Sequence, residues 1–211
     1  FKNKDFYLGS TFSNSQIKKE LLKYKKKLKF KLCKDITNIS AKIISDKKIL
    51  GWFQGAAEFG PRALGNRSIV CQPFPIGMKD HLNKNVKFRE SFRPFAPAIL
   101  DYKAKEFFKI NQESPHMLMA VKVKKDKKKL IPAVVHVDNS SRTQTVSMKN
   151  NKKFYDLINN FYKISKIPVV VNTSFNIKGQ PIVNDPRDAI LCFLKYNIDY
   201  LAIGDYIVEK R

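Results

Sequence analysis

The stretch KKFYDLINNFYKISKIPVVVNTSFN, residues 152–176, decides the class of the fold. Its first half places apolar side chains at helical spacing, which predicts a helix over residues 152–164; they are Phe154, Leu157, Ile158 and Phe161. Pro168 ends this helix and opens the apolar run 169–171, which is typical of a central strand. A helix that leads directly into a buried strand predicts an α/β (α+β) fold, a sheet with packed helices.

Apolar patterns elsewhere predict the other elements of one mixed sheet. Helices are predicted at 13–27, where Leu28 continues the apolar spacing, at 35–46 and at 186–194, with a helical turn at 78–85. Strands are predicted at 49–53, 69–71, 117–123, 133–137, 200–203 and 206–208. These elements do not alternate strictly, so the pattern leaves α/β and α+β open.

Arginine is rare in this strongly basic chain. The 41 basic residues are 34 Lys and 7 Arg, and with 18 acidic residues the formal net charge is +23. A field of this sign attracts nucleotides, nucleic acid or anionic lipid. Four of the seven arginines lie between residues 62 and 93. Arg in a Lys-rich chain indicates two-pronged hydrogen bonding to a phosphate or carboxylate, which Lys does not provide.

Two lysine runs, at residues 23–31 and 122–129, hold much of the remaining charge. They are typical either of a solvated surface or of a nucleic-acid footprint. No RNP-like motif, zinc-knuckle spacing or KH-type loop accompanies them. Nucleic acid is therefore the weaker prediction.

The cysteines and the hydropathy predict a cytoplasmic protein. Cys33, Cys71 and Cys192 are odd in number and far apart, which argues against a disulfide framework and a zinc site. Neither a membrane-length apolar run nor a signal peptide is present in the sequence. Because the chain begins with Phe1, we expect residues 1–30 to lead in from an N-terminal domain and residues 31–211 to form the domain itself.

The loop 58–68 is a candidate anion site. It combines Gly60 and Gly65, whose flexible backbone can turn N–H groups inward, with the guanidinium groups of Arg62 and Arg67. It matches neither the P-loop nor the Rossmann pattern. Ordinary tight turns also contain Gly and Pro, so the pattern alone does not decide between the two.

An extended backbone predicted for residues 86–95 would place alternate side chains on opposite faces. One face would carry Lys87, Arg89, Ser91 and Arg93, and the other would bury Val86, Phe88 and Phe92. Such a row of cations could bind a polyphosphate. The same pattern is equally typical of an edge strand with a charged outer face, so the pattern alone leaves both interpretations open.

Polar side chains follow the central strand: Asn172, Thr173, Ser174 and Asn176. The carboxyl end of a buried strand is where α/β sheets commonly hold ligands. Loop-capping turns are the other interpretation. A fifth arginine, Arg142, also lies among turn-forming polar residues.

These motifs resemble the carboxy-terminal domain of the nodulation-type O-carbamoyltransferases, a family that also acts in tobramycin, cephamycin and novobiocin biosynthesis. The matching stretches occur in the family's order and cover nearly the whole domain. They are GWFQG at 51–55, EFGPRALGNRSI at 58–69, MKDHLNKNVKFRESFRPFAPAIL at 78–100, HVD at 136–138, SRTQTV at 141–146, VNTSFNIKGQPIV at 171–183 and IGDYIVEK at 203–210.

The resemblance implies a YrdC-like twisted mixed sheet with packed helices and a basic cavity that binds ATP and carbamoyl phosphate. In such enzymes carbamate from carbamoyl phosphate attacks the α-phosphate of ATP, giving carbamoyl-adenylate and pyrophosphate. An N-terminal actin-like domain, which holds a metal, then transfers the carbamoyl group to a hydroxyl. That domain and its metal ligands lie outside this sequence, which does not identify the hydroxyl acceptor.

By the same resemblance, the catalytic residues are Lys87, Arg93 and Arg142, and the residues that bind ATP and carbamoyl phosphate are Arg62, Arg67, Arg89, Asn172, Ser174 and Asn176. Several cations with few acids suit adenylation, because two anions must be held together against their repulsion. Mg²⁺ is implied with ATP, and no residue here is assigned to bind it.

The chain departs from the family at two positions. Many relatives have Arg where Ala56 stands and Glu where Gln180 stands, which puts one cation and one anion of the pocket in doubt. Two other functions stay open at this point: an RNA- or tRNA-binding YrdC-like domain without carbamoyl chemistry, and a domain that only docks onto its partner.

Overall fold

The computed structural model describes residues 6–74 and 76–211, so part of the predicted lead-in, residues 1–5, lies outside it. The described helices are α1 Asn14–Lys23, α2 Ile36–Ser45, α3 Met78–His81, α4 Ala104–Phe107, α5 Lys152–Ser165 and α6 Pro186–Lys195. The described strands are β1 Leu28–Leu32, β2 Leu50–Phe53, β3 Arg67–Cys71, β4 Ala96–Leu100, β5 Ala120–Lys122, β6 Ser140–Arg142, β7 Gln144–Val146, β8 Val169–Ser174, β9 Tyr200–Ile203 and β10 Tyr206–Lys210.

Eight of these strands form one mixed sheet in the order β1-β10-β9-β2-β3-β8-β4-β7. The pairs β2–β9 and β4–β7 are parallel, and the other paired neighbours run antiparallel. β5 and β6 form a separate antiparallel pair. The predicted mixed sheet with packed helices is confirmed.

Both faces of the sheet are buried. Along β8, Val169 and Val171 contact the core that also holds α1 and α6, whereas Val170 contacts the core formed with α2 and α5. All three valines are fully buried. This is why β8 is an unbroken apolar run rather than an alternating one.

Most predicted elements are present with small shifts of their ends, and their caps explain where they begin. Ser13 and Gln16 form a capping box at α1, and the Asp35 side chain accepts from the Asn38 N–H at α2. Asn151 caps α5 in the same way, through the Phe154 N–H. The sequence therefore contains the start signals of these three helices.

The end of the first predicted helix and the predicted strand at 133–137 are wrong, and four strands have no counterpart in the prediction. Leu28 does not extend the first helix but begins β1, an edge strand in which only Leu28 is buried. Residues 28–32 alternate apolar and polar residues as a strand does, but Leu28 also lies at helical spacing from Leu21, so the local pattern fits both elements. Residues 133–137 do not form a strand: a 3₁₀ turn, Pro132–Val134, begins at a proline that cannot donate to a ladder. The strands without a predicted counterpart are β1, β4, β6 and β7.

The N-terminal helix belongs to the same core as the rest of the domain. Ile17 and Leu21 of α1 are buried with the residues of β9 and β10. The division of the chain at residue 30 stays a prediction. Within residues 6–74 and 76–211, no helix is long and apolar enough to cross a membrane.

Candidate anion-binding site

The sheet brings the candidate residues to one edge. The carboxyl end of β8 lies beside the first residues of its antiparallel neighbours, since Ser174 pairs with Ser68 on β3 and Asn172 pairs with Ala96 on β4. The loops that lead into β3 and β4 therefore end at this edge. β7 runs parallel to β4, so the beginning of β7 lies at this edge too, and Arg142, the last residue of β6, comes just before it in the chain.

These loops enclose a small cavity of about 100 Å³. Three arginines line it, namely Arg62, Arg89 and Arg142, together with Asn172, Thr173 and Ser174 from the end of β8. The other lining residues are Pro61, Ala63, Pro94, Phe95, Ala96 and Met117. No acidic side chain lines the cavity in the described part of the chain. The structure thus combines five of the nine predicted site residues around one cationic cavity: Arg62, Arg89, Arg142, Asn172 and Ser174.

Burial and mutual repulsion act on the guanidinium groups of the cavity. The pKa of Arg142 is lowered by burial and further by the charge of Arg62. The pKa of Arg89 is lowered by burial, then by Arg93, against an opposing effect of Glu90. The positively charged guanidinium groups repel one another, and no acidic side chain among the described lining residues offsets this repulsion. An anion bound between them would offset it.

Glu58 holds the loop that carries Arg62. Its Oε1 accepts from the backbone N–H groups of Leu64 and Asn66, each at 2.7 Å, and of Arg67, at 3.1 Å. Hydrogen bonds from several N–H groups to one carboxylate are charge-assisted and strong. These backbone N–H groups of the loop therefore bind the Glu58 carboxylate and are not free for a ligand.

We expect Glu58→Ala to destabilise the domain by about 2–4 kcal/mol, because three backbone donors lose their acceptor. Glu58→Gln keeps a neutral acceptor in place and should cost about half as much. Urea unfolding of the two variants and the parent chain measures the difference. Equal stability of all three chains would contradict a loop-closing role for Glu58.

The prediction of an extended backbone for residues 86–95 is wrong. α3 continues into a π-helix, Leu82–Val86, and Phe88 has a left-handed backbone with φ 48°. The alternation of faces is lost at that residue. Phe88 and Phe92, predicted to be buried, are 50% and 70% exposed.

The cations of this segment consequently point to different places. Arg89 lines the cavity, where its Nε donates to Asn83 Oδ1 at 2.7 Å and its guanidinium lies 4.6 Å from the centre of the Phe95 ring. Arg93 is half-exposed and pairs with Glu90 at 2.9 Å, outside the residues that line the cavity. The catalytic role implied for Arg93 stays a prediction.

Lys87 is buried against the turn after β8. Its Nζ lies within hydrogen-bond distance of four oxygens, the carbonyl oxygens of Ser174 and Asn176 at 2.9 and 2.7 Å and their side-chain oxygens at 3.3 and 2.8 Å. Only 3% of Lys87 is exposed, and burial, with a smaller effect of Arg89, lowers its pKa to about 7. Lys87 fixes the shape of this turn next to the cavity.

The buried lysine makes stability depend on pH. The unfolded chain keeps Lys87 protonated up to its ordinary pKa of 10.5, whereas the folded chain releases the proton above about 7. Unfolding then takes up a proton in this range, so the free energy of unfolding rises with pH. Between pH 7.0 and 8.5 we expect the parent chain to gain about 1.5 kcal/mol relative to Lys87→Met. Urea unfolding of both chains at the two pH values measures this gain. An equal change of the urea midpoint in the two chains between pH 7.0 and 8.5 would contradict the linkage.

The donors of Ser174 and Asn176 are engaged within the turn. Ser174 Oγ donates to Asn176 Oδ1 at 2.7 Å, and Asn176 Nδ2 donates to the carbonyl oxygen of Gln180 at 2.8 Å. Ser174 lines the cavity and Asn176 does not. Their implied contact with a ligand stays a prediction.

Arg67 is placed inside the domain rather than at the cavity. It is 1% exposed, its guanidinium donates to the carbonyl oxygens of Ser10, Gln54, Gly55 and Asn66, and it lies 3.7 Å from the centre of the Phe53 ring. Burial lowers its pKa to about 10. These contacts join the N-terminal segment to the loop 58–68.

The sequence interpretation missed two residues that shape the site. Gln144 connects Asn172 to Leu64, and Asn83 holds Arg89. Both lie inside the quoted motifs, but no spacing rule links residues so distant in the chain. Within the described ranges, no group of three or more His, Cys, Asp or Glu side chains could hold a metal ion.

Among the described residues, three arginines and no acidic side chain line the cavity of this α/β domain, a composition typical of the class of domains that bind anions. Within that class, the chain belongs to the carbamoyltransferase C-terminus family, whose model matches residues 41–210. The resemblance found in the motifs is confirmed.

Named relatives agree with this assignment. The chain is 42% identical over 202 residues to the nodulation protein NolNO of Sinorhizobium fredii, covering 94% of this chain and 30% of that protein. It is 42% identical over 211 residues to the nodulation protein NolO of Bradyrhizobium diazoefficiens, covering 98% of this chain and 38% of that protein. The chain therefore spans about a third of the length of these relatives.

The fold is shared with a solved structure of HypF in a phosphate- and nucleotide-bound form. The TM-score is 0.57 at 19% sequence identity, over 83% of this chain and 22% of that one. A second HypF structure, from T. kodakarensis, gives a TM-score of 0.56 over 88% of this chain.

Proposed function

We propose that this domain activates carbamoyl phosphate with ATP to form carbamoyl-adenylate, as the C-terminal part of an O-carbamoyltransferase. The observation that carries the proposal is the convergence of Arg62, Arg89 and Arg142 on a cavity that no acidic side chain of residues 6–74 and 76–211 lines. Membership of the carbamoyltransferase C-terminus family supports the choice of carbamoyl chemistry.

The two volumes at the site suit two ligands of different size. The cavity of about 100 Å³ is below the range of pockets for drug-sized ligands, so it fits a small anion such as carbamoyl phosphate rather than a whole nucleotide. Arg89 also borders an open hollow of about 530 Å³ that is lined by Lys84, Phe88, Glu90, Ser91 and Lys178. We place ATP in this hollow, where the half-exposed Phe88 ring offers a stacking surface and Lys84 adds a positive charge for the phosphates. Lys178 pairs with Glu90 at 3.2 Å, and in this proposal the phosphates compete with Glu90 for it.

The proposed reaction has two steps. Water cleaves carbamoyl phosphate to carbamate and inorganic phosphate. A carbamate oxygen then bonds to the α-phosphorus of ATP, and the bond to the β-phosphate oxygen breaks with its electron pair leaving on pyrophosphate. The arginines hold the two anions together and neutralise the charge that develops on the transferred phosphorus.

Pyrophosphate release by the 211-residue chain tests the proposal. We expect release from ATP that depends on carbamoyl phosphate and saturates with both substrates. No release, together with RNA binding that weakens steeply with salt and ignores carbamoyl phosphate, would overturn the proposal and favour an RNA-binding domain. Transfer to a hydroxyl and the metal of that step belong, in this proposal, to an N-terminal actin-like domain of the same polypeptide.

A further inference from the structure

A short N-terminal segment, residues 6–10, runs antiparallel to the start of the loop 58–68. The Phe59 N–H donates to the carbonyl oxygen of Phe6 at 2.7 Å. Two more backbone hydrogen bonds, at 2.9 and 3.1 Å, join Ala57 to the other end of the segment. The segment therefore holds the stretch of chain that enters the loop.

The same segment also contacts the second half of the loop. The Tyr7 hydroxyl donates to the carbonyl oxygen of Leu64 at 2.9 Å, and the Arg67 guanidinium donates to the carbonyl oxygen of Ser10 at 3.0 Å. Arg62, which lines the cavity, lies in the chain between these contacts and the paired start of the loop. The segment thus fixes both ends of the stretch that presents Arg62.

Two aromatic rings of the segment pack beside the wall of the cavity. Phe6 and Tyr7 are partly buried against a small apolar cluster of Leu64, Ala96 and Met117. Ala96 and Met117 also line the cavity. This cluster is separate from the two large cores on the faces of the sheet. The contacts of the segment can therefore loosen while both large cores stay intact.

The close approach of the segment to the loop depends on Gly9. A Cβ at this position would lie 2.8 Å from the Cβ of Ala57 and 3.0 Å from its carbonyl oxygen. Neither atom is the end of a flexible side chain, so a residue larger than glycine must push the two stretches apart. Gly9 offers a way to loosen this contact with a single methyl group.

We propose that the backbone of residues 6–10, with the Tyr7 side chain, positions Arg62 at the cavity through the loop 58–68. Arg62 is exposed, and its charge repels that of Arg142, so without an anion its side chain is driven away from the cavity. A held loop raises the fraction of molecules in which Arg62 faces the cavity, and the apparent affinity for an anion rises with that fraction. This inference rests on the anion site of the proposed function and not on its carbamoyl chemistry.

Binding of inorganic phosphate to the 211-residue chain, measured by titration calorimetry, tests the role of the segment. We expect Gly9→Ala to weaken binding roughly tenfold, as it would if the fraction of molecules with Arg62 in place fell to about a tenth. Tyr7→Phe removes a hydrogen bond to the loop without adding an atom, and it should weaken binding about two- to fivefold. It carries the same comparison if Gly9→Ala does not fold. The matched control is Leu8→Ala, whose side chain is 63% exposed and outside these contacts, and it should bind as the parent chain does.

A double-mutant cycle shows whether the segment acts through Arg62. Arg62→Ala alone should weaken phosphate binding roughly tenfold or more. Adding Gly9→Ala to that variant should cause no further loss, because the group that the segment positions is already absent. General damage to the domain would instead weaken binding by the same factor with and without Arg62. Urea unfolding of each variant shows that the compared chains are folded.

The outcomes separate this inference from the proposed function. Equal phosphate affinity of the parent chain and both segment variants, or an equal loss with and without Arg62, would overturn the positioning role and leave the anion site standing. Absence of phosphate binding by the parent chain would overturn the anion site, and this inference with it. The expected pattern of phosphate binding without any pyrophosphate release would support this inference and contradict the proposed function.

Discussion

Replacing Arg142 with alanine is expected to lower the rate of carbamoyl-phosphate-dependent pyrophosphate release by about 10²- to 10³-fold. Arg142 is partly buried and lines the cavity beside Arg62, so its guanidinium is placed to meet the charge of an anionic ligand. Steady-state rates of the 211-residue chain at saturating ATP measure the effect. The loss should appear in the rate, because the charge that Arg142 meets develops during the reaction.

Two further variants make the result interpretable. Arg187→Ala removes an exposed arginine of α6 that does not line the cavity, and it should leave the rate within about twofold. Arg142→Lys keeps a positive charge but lacks the planar fork, so we expect an intermediate rate. A rate for Arg142→Ala close to that of the parent chain, with an unchanged unfolding midpoint, would contradict the role assigned to Arg142.

The second large effect is on stability and concerns Gly65. Its backbone has φ +106°, and a Cβ at this position would lie 2.3 Å from Phe154 Cδ1, in a ring that is fully buried. Gly65→Ala therefore combines a strained backbone with an overlap that the core cannot relieve. We expect a loss of about 3–5 kcal/mol of unfolding free energy, measured by urea unfolding.

Gly60, in the same loop, separates the two causes. It has a similar backbone, φ +113°, but a Cβ there would meet nothing within 4 Å. Gly60→Ala should cost only the backbone strain, about 1–2 kcal/mol. Equal losses for the two variants would show that the contact with Phe154 does not matter.

The sheet and its main helices could be predicted because their signals are local. The apolar run of β8 and the spacing of α5 appear directly in residues 152–171, and the caps of α1, α2 and α5 lie next to the helices they begin. Edge strand β1 was missed because Leu28 also fits the helical spacing of Ile17 and Leu21, so the local pattern fits both a helix and a strand.

The site could be predicted only in part. Motifs identified the loops and the arginines, but the direction of each side chain depends on backbone angles that residue types do not determine. Phe88 takes a positive φ that interrupts the expected alternation. Lys87 contacts the turn after β8, and Arg93 pairs with Glu90. Arg62 and Arg67 lie in the same glycine-containing loop, so the sequence does not distinguish them. In the structure Arg67 is buried and donates to backbone carbonyl oxygens instead of lining the cavity.

The hydrogen bonds of Asn172 could not be predicted from the sequence. Its Nδ2 donates to the carbonyl oxygen of Ala63 and to Gln144 Oε1, and both partners lie far away in the chain.

The central claim is that the α-phosphorus of ATP is attacked in this domain, and ³¹P NMR of ATP and carbamoyl phosphate incubated with the 211-residue chain tests it most directly. The account predicts pyrophosphate from ATP and inorganic phosphate from carbamoyl phosphate, with no ADP formed in proportion. Appearance of ADP would place the attack at the γ-phosphate. That result, or persistence of both substrates, would contradict the account.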